Sequence, residues 1–202
     1  MLMFSLDSYT ILSFFVPFMS IFIIMDPFAS IAPFLAFTSK CKEHEMIHTA
    51  NRAVFLAGIL ALIFLFFGNP ILDSMHITLS DFRIAGGIVL VLMGLQNVLD
   101  VSFSNTKDKD HTSLDAAAVL IATPLLAGPG LMSSLIVLEL EFGLVPVFVS
   151  LFAALFVSWL LLANSHRIRK AFGTRIILIA SKIIGLMLIA IGISYIKAGM
   201  AV

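Results

Sequence analysis

Long apolar segments alternate with short polar connections along the whole chain. A helix that spans a bilayer needs about 20 mostly apolar residues, and six segments meet this criterion. They cover roughly residues 9–38, 51–72, 82–103, 114–138, 143–163 and 175–200. The pattern therefore predicts an all-α membrane protein with six transmembrane helices. The first segment is too long for one straight helix, which indicates an interruption inside it.

Two polar, proline-containing stretches fall inside these apolar segments. Residues 26–33 read Asp-Pro-Phe-Ala-Ser-Ile-Ala-Pro, and residues 123–130 read Thr-Pro-Leu-Leu-Ala-Gly-Pro-Gly. Proline lacks the backbone donor and clashes with the preceding turn, so paired prolines are expected to break the first and fourth helices. A broken helix at membrane depth persists only where protein buries it or where it lines a polar cavity. Such breaks in both halves of a chain are typical of a transporter binding site.

Composition and charge limit the class of protein and its partners further. The 202 residues are 60% hydrophobic and only 12% charged, with a mean hydropathy of +1.11. Soluble domains carry about 25% charged residues, so the lipid bilayer is the expected environment. The net charge of zero argues against a nucleic-acid partner. Cys41 is the single cysteine, which excludes an internal disulfide.

Basic residues concentrate in alternate connections. Nine of the twelve lie before the second, fourth and sixth predicted spans: Lys40, Lys42, Arg52, Lys107, Lys109, Arg167, Arg169, Lys170 and Arg175. The opposite connections carry Asp73, Asp81, Glu139 and Glu141 instead. The positive-inside rule therefore predicts a multi-pass protein of the inner or plasma membrane, with both termini extracytoplasmic.

Three spans on each side of the polar linker predict an inverted repeat, because an odd number of crossings reverses the second half. We expect a single transmembrane domain over residues 1–202. It consists of a first three-helix repeat (1–103), a cytoplasmic linker (104–113) and a second three-helix repeat (114–202). Arg83 precedes Gly86 by three residues near the start of the third span. Lys182 precedes Gly185 in the same way in the sixth span.

The motifs at residues 26–31, 82–88 and 124–130 resemble the signature stretches of the MarC family of bacterial and archaeal membrane proteins. The resemblance extends over nearly the full length. The family is grouped with the lysine-exporter superfamily of transporters, and some archaeal members are described as transporters of small neutral amino acids. The resemblance therefore implies transport of substrates such as glycine or alanine. This chain has Ala29-Ser30 where the family usually has Gly-Asn, and Pro33 one position after the family's usual second proline.

The two breaks supply the predicted substrate-binding residues. They are Asp26, Pro27, Phe28, Ala29, Ser30, Ile31, Thr123, Pro124, Ala127, Gly128, Pro129, Gly130 and Ser133. Freed amides of residues 28–31 and 125–131 would hold a substrate carboxylate at two positive helix ends. Freed carbonyls and Asp26 would suit an ammonium group or a coupling proton or sodium ion.

Each of these residues also has a structural interpretation. Asp26 before a proline is a good helix N-cap, with one carboxylate oxygen left to face a cavity. Serines in membrane helices often bond to their own backbone, and glycines permit tight packing. Arg83 is expected to snorkel or to pair, for instance with Asp81. Asn97, at the end of the third span, needs no special explanation.

Other functional classes remain as alternatives. The sequence has no nucleophile, metal or paired-carboxylate motif within its spans, so we expect neither an enzyme nor a catalytic residue, metal site or cofactor. A membrane scaffold or sensor, or an exporter of another small metabolite, remains open. Homo-oligomer formation also remains open.

Overall fold

The computed structural model describes residues 2–38, 41–99 and 126–201, which are almost entirely helical and contain no strand. The helices are α1 (Leu2–Met25), α2 (Pro27–Phe37), α3 (Glu43–Ser74), α4 (Leu79–Leu99), α5 (Pro129–Phe142), α6 (Leu144–Ala163) and α7 (Ser165–Met200). Within these residues, five stretches are long and apolar enough to cross a membrane: Leu12–Phe37, α3, α4, α6 and α7. The chain is therefore a multi-pass helical membrane protein. The linker 104–113 and the start of the fourth predicted span lie outside the described residues.

Helices α3 and α7 begin well before the starts that the hydrophobic pattern predicts, at residues 51 and 175. Helix α3 starts at Glu43 because the Glu45 carboxylate accepts the Lys42 N–H at 2.8 Å and caps the first turn. Helix α7 starts at Ser165 and bends at Gly173, where φ is +74°. The predicted loop before the sixth span is thus largely helical. Hydrophobic runs mark the apolar part of a helix and do not show how far its polar turns extend beyond it.

Ion pairs and hydrogen bonds join the helix ends in two separate groups. At one end of the helical bundle, which we call the basic end, the Arg167 guanidinium donates to the Glu43 carboxylate at 3.1 Å. At the other, the acidic end, the Asn69 amide donates to Glu139 at 3.0 Å. The first group ties α3 to α7, and the second ties α3 to α5.

Arg83 also lies at the acidic end, where its guanidinium donates to the Glu141 carboxylate at 3.1 Å. Arg83 therefore pairs as expected, but its partner is Glu141 rather than Asp81, the example that the sequence suggested. Asp81 instead accepts the hydroxyl and the N–H of Thr78, at 2.5 and 3.2 Å, and stabilises the start of α4. An acidic residue two positions away along a helix points to another face, whereas α5 brings Glu141 across from Arg83.

Helices α4 and α7 pack antiparallel along a seam of glycines spaced seven residues apart. The seam consists of Gly87 and Gly94 on α4 and of Gly185, Gly192 and Gly199 on α7. A Cβ atom on Gly192 would lie 2.6 Å from the Gly87 carbonyl oxygen, and one on Gly185 would lie 2.9 Å from that of Gly94. Only glycine permits this approach of two backbones. In sequence position, Gly185 lies 98 residues after Gly87, and Gly192 lies 98 residues after Gly94. A shift of 98 residues therefore turns the Gly87–Gly192 contact into the Gly94–Gly185 contact.

Helix α5 lies in the middle of the core. Residues 133–138 are all buried, and the helix contacts α1, α3, α4 and α6. Its 14 residues extend about 21 Å at 1.5 Å per residue, which is shorter than the hydrocarbon layer of about 30 Å. Helix α5 alone therefore cannot cross a bilayer.

Candidate functional site

The backbone changes direction at Asp26, between the end of α1 and the start of α2. Asp26 has φ 38° and ψ 65°, in the left-handed region that side-chain-bearing residues rarely adopt. Its N–H still bonds to the carbonyl oxygens of Phe22 and Ile23 at 3.2 Å each. Pro27 then occupies the first position of α2. The residue is 3% exposed, so a strained backbone and a carboxyl group are buried together.

Both oxygens of the Asp26 side chain accept hydrogen bonds. Oδ1 accepts the Ala29 N–H at 3.2 Å, which confirms the N-cap interpretation. Oδ2 accepts from the side-chain amide of Asn97 on α4. The second oxygen is therefore held by another helix rather than left facing a cavity. The carboxyl group joins the α1–α2 junction to the end of α4.

Asn97 is the site residue that sequence reasoning missed. Its position near the end of an apolar segment suggested a solvated side chain, but it reaches Asp26 in the interior. Gly185 makes this placement possible, because a Cβ atom there would lie 2.9 Å from the Asn97 Cβ. The sequence does contain a hint of this role. Asn97 follows Gly94 by three residues, so both lie on the face of α4 that carries the glycine seam.

The other residues of the first break pack around this junction. The Ser30 hydroxyl donates to the Asp26 carbonyl oxygen at 3.3 Å, so it bonds to its own backbone. Ser30 and Ile31 are buried, while Phe28 and Ala29 are half-buried. The Phe28 ring meets Phe22 edge-on, with centroids 6.4 Å apart.

In the second break, Ala127 and Gly128 are buried and Pro129 begins α5. Gly128 has an extended backbone, and its carbonyl oxygen accepts the Leu131 N–H at 3.0 Å. Gly130 packs against Leu90 of α4, where a Cβ atom would lie 2.6 Å from Leu90 Cδ2. The glycine here therefore serves close packing. Thr123 and Pro124 lie outside the described residues.

Ser133 and Ser134 follow on α5 and bond to its own backbone. Their hydroxyls donate to the carbonyl oxygens of Pro129 at 3.0 Å and Gly130 at 2.8 Å. Both hydroxyl protons are thus used within the helix. The Ser134 hydroxyl also contacts the Tyr195 side chain, so the lone pairs of Ser133 are the ones that could accept a hydrogen bond from a ligand. Ser133 also packs closely against Gly86 of α4.

Taken together, α2 begins at the buried pair Asp26–Pro27, and α5 begins between the buried Gly128 and Gly130 at the exposed Pro129. Helix N-termini favour negative ligand groups, and a buried carboxyl group favours positive ones or a proton. The two breaks thus differ in the charge that each favours. Among residues 2–38, 41–99 and 126–201, no cluster of three His, Cys, Asp or Glu side chains could hold a metal ion.

A family model described as "MarC family integral membrane protein" matches residues 11–202. The chain belongs to the MarC family. A UPF0056 membrane protein of Buchnera aphidicola subsp. Schizaphis graminum is 32% identical over 90% of this chain and 89% of its own length. A UPF0056 membrane protein of Methanocaldococcus jannaschii is 31% identical over 92% of the chain and 95% of its own. UPF0056 membrane protein YhcE of Escherichia coli is 29% identical over 90% of the chain and 89% of its own. No solved structure shows significant similarity to the chain.

Proposed function

We propose that this MarC protein is a secondary transporter of small neutral solutes, with small amino acids such as glycine or alanine as the favoured substrates. The observation that carries the proposal is the buried, left-handed Asp26 at the junction of α1 and α2, hydrogen-bonded to Asn97 on α4. Transport proteins use interrupted helices of this kind to bind substrates and ions within the membrane. Asp26 would contact the substrate ammonium group or a coupling proton or sodium ion.

The proposed architecture is an inverted three-plus-three repeat of six spans, with the first and fourth helices broken. The interruption at Asp26 and the start of α5 at Pro129, between the buried Gly128 and Gly130, support the two breaks. The exchangeable glycine contacts between α4 and α7 support the inversion, since these are the last helices of the two proposed halves. Alternating access would then move one half against the other around the site.

The same site is proposed to recognise both charges of an amino acid. The start of α5 would hold the carboxylate through backbone amides, and Asp26 would face the ammonium group. Small residues at the breaks, Ala29 and Ala127 among them, leave little bulk near the ligand. This favours glycine and alanine over larger substrates.

The test uses purified protein and matched ligands. Alanine should raise the thermal midpoint, whereas propionate, which lacks the ammonium group, and ethylamine, which lacks the carboxylate, should not. A ligand at 100 times its dissociation constant adds about 2.7 kcal/mol of stability. Alanine flux into liposomes should also saturate. No stabilisation or flux with any small amino acid would reject this substrate class and favour a scaffold, a sensor or another metabolite.

A further inference from the structure

A cavity of about 430 Å³ opens at the basic end, and Asp26 does not line it. Its floor is apolar and includes Leu35 of α2, Met46 of α3 and Ala163 of α6. Its rim is mainly basic: it is formed by Glu43 of α3 and by His166, Arg167, Arg169 and Lys170 of α7. The volume falls within the range of about 300–1,000 Å³ typical of small-molecule sites.

The cations of the rim differ in their bonding. Arg167 is paired with Glu43 at 3.1 Å. Arg169 and Lys170 are exposed and form no hydrogen bond or ion pair with the part of the chain that the structure describes. An arginine binds phosphate oxygens in a bidentate manner, and a lysine adds a point charge. The rim therefore presents two side chains that are available to bind a phosphate group.

The cavity lies where α7 enters the apolar part of the molecule. The segment Ser165–Phe172 precedes the bend at Gly173, and the long apolar part of α7 follows it. Ile168 of this segment packs on the core, while Phe172 is 59% exposed. A short segment with basic and apolar faces is typical of helices at the membrane–water interface. Phospholipid phosphates lie at this interface.

We propose that this cavity binds the phosphate group of an anionic phospholipid headgroup. Arg169 and Lys170 bind the phosphate, and the floor of Leu35, Met46 and Ala163 lies beneath the glycerol part of the lipid. Basic pockets between membrane helices fit such headgroups. A soluble phosphate carries the same chemistry, so the experiment separates the two sources.

Cys41 provides the readout, because it lines the same cavity and is the single cysteine of the chain. The protein is placed in nanodiscs of phosphatidylcholine, either alone or with phosphatidylglycerol. The labelling rate of Cys41 by a small neutral maleimide is measured, and retained lipid is counted by native mass spectrometry. We expect phosphatidylglycerol to slow labelling several-fold and to be retained, whereas inorganic phosphate added to phosphatidylcholine nanodiscs should not slow it.

Two charge-matched variants decide whether the cavity is responsible. Arg169→Gln/Lys170→Gln should lose the protection and the retained lipid. Arg175→Gln/Lys197→Gln removes two exposed cations outside the cavity and should keep both. Protection that survives in the first variant, or no protection in the native protein, overturns the proposal. Protection by inorganic phosphate alone overturns the lipid as the ligand.

Discussion

Asp26 combines two features that each raise the free energy of the folded state. Its backbone is left-handed, and its carboxyl group is 3% exposed. A residue held in a sparsely populated backbone region costs about 1–3 kcal/mol and persists only where its surroundings enforce it. Here the Ala29 N–H and the Asn97 amide hold the side chain. Such strain tends to occur at functional sites, which makes Asp26 the first residue to test.

The charge of Asp26 can be separated from its hydrogen bonds. In Asp26→Asn the new amide can still cap α2 through its oxygen, and a flipped Asn97 can accept from its NH2 group. We expect normal folding with loss of concentrative uptake and retention of exchange, because only the charge that couples transport to a proton or sodium ion is removed. Flux into liposomes with and without an ion gradient measures this.

Asp26→Ala is the matched comparison, since it removes the hydrogen bonds as well as the charge. It should lower stability by about 1–2 kcal/mol for the lost cap, with a further loss for the unsatisfied Asn97 amide. Full concentrative uptake by Asp26→Asn would show the carboxylate to be architectural.

Asn97 is the second residue whose role the geometry makes testable. Asn97→Ala leaves Oδ2 of the buried Asp26 without its donor, which should cost about 1–3 kcal/mol and lower the thermal midpoint. Transport should fall as well, because Asp26 loses its tie to α4. Gln96→Ala removes a neighbouring amide that does not contact Asp26 and should leave both properties near the native values. Equal effects of the two variants would contradict the assigned role.

At the scale of helices, the glycine seam and the buried helix α5 set the position of the site. The seam brings α4 and α7 to backbone contact and places Asn97 beside Gly185. Helix α5 packs on the same helix α4 through Gly130 and Ser133. Helix α4 therefore connects both breaks: it contacts Asp26 through Asn97 and the second break through Leu90.

Gly192→Ala tests the seam. Its new Cβ would lie 2.6 Å from the Gly87 carbonyl oxygen, a backbone atom that moves only if a helix moves. We expect a loss of about 1–3 kcal/mol from overpacking. Gly58→Ala is the control, because the nearest atom there is the Leu155 Cδ1 at 3.3 Å, in a flexible side chain. A thermal midpoint for Gly192→Ala equal to that of Gly58→Ala would mean that the backbones do not pack this closely.

At the scale of the whole molecule, charge separates the two ends of the helical bundle. The basic end carries Cys41 and Arg167, and the acidic end carries Asp73 and Glu141. The positive-inside rule predicts that the basic end faces the cytoplasm. This orientation stays a prediction, and the native cysteine offers a direct test of it.

A membrane-impermeant maleimide should leave Cys41 unlabelled in sealed cells and should label it after permeabilisation. The control is Asp73→Cys in a Cys41→Ala background, which places the thiol at the acidic end and should be labelled from outside. External labelling of native Cys41 would reverse the predicted topology.

The rate of that labelling should depend on pH in a defined direction. Partial burial raises the pKa of the Cys41 thiol, and the nearby Glu45 carboxylate raises it further. Because the thiolate is the reactive form, labelling in permeabilised cells should keep accelerating above the ordinary thiol pKa. Glu45→Gln removes the charge but keeps the cap of α3, so it should speed labelling at a given pH. An unchanged rate would mean that the carboxylate does not act on this thiol.

The sequence by itself determined the class of the molecule and much of its outline. Apolar segments of membrane length and low charge require helices in a bilayer, because every backbone group must be satisfied within the segment. The predicted span 143–163 agrees with α6, Leu144–Ala163. The Asp26–Pro27 pair predicted an N-cap, since capping depends on neighbouring residues only.

Tertiary structure decided which polar groups meet. The bond between Asp26 and Asn97 joins residues 71 positions apart, and it requires the close approach of α4 and α7 at Gly185. Arg83 likewise pairs with Glu141, 58 positions away, rather than with the nearby Asp81. Local patterns report the chemistry of each residue and the period of its helix. Helix packing brings distant faces together, and only that packing determines which side chains become partners.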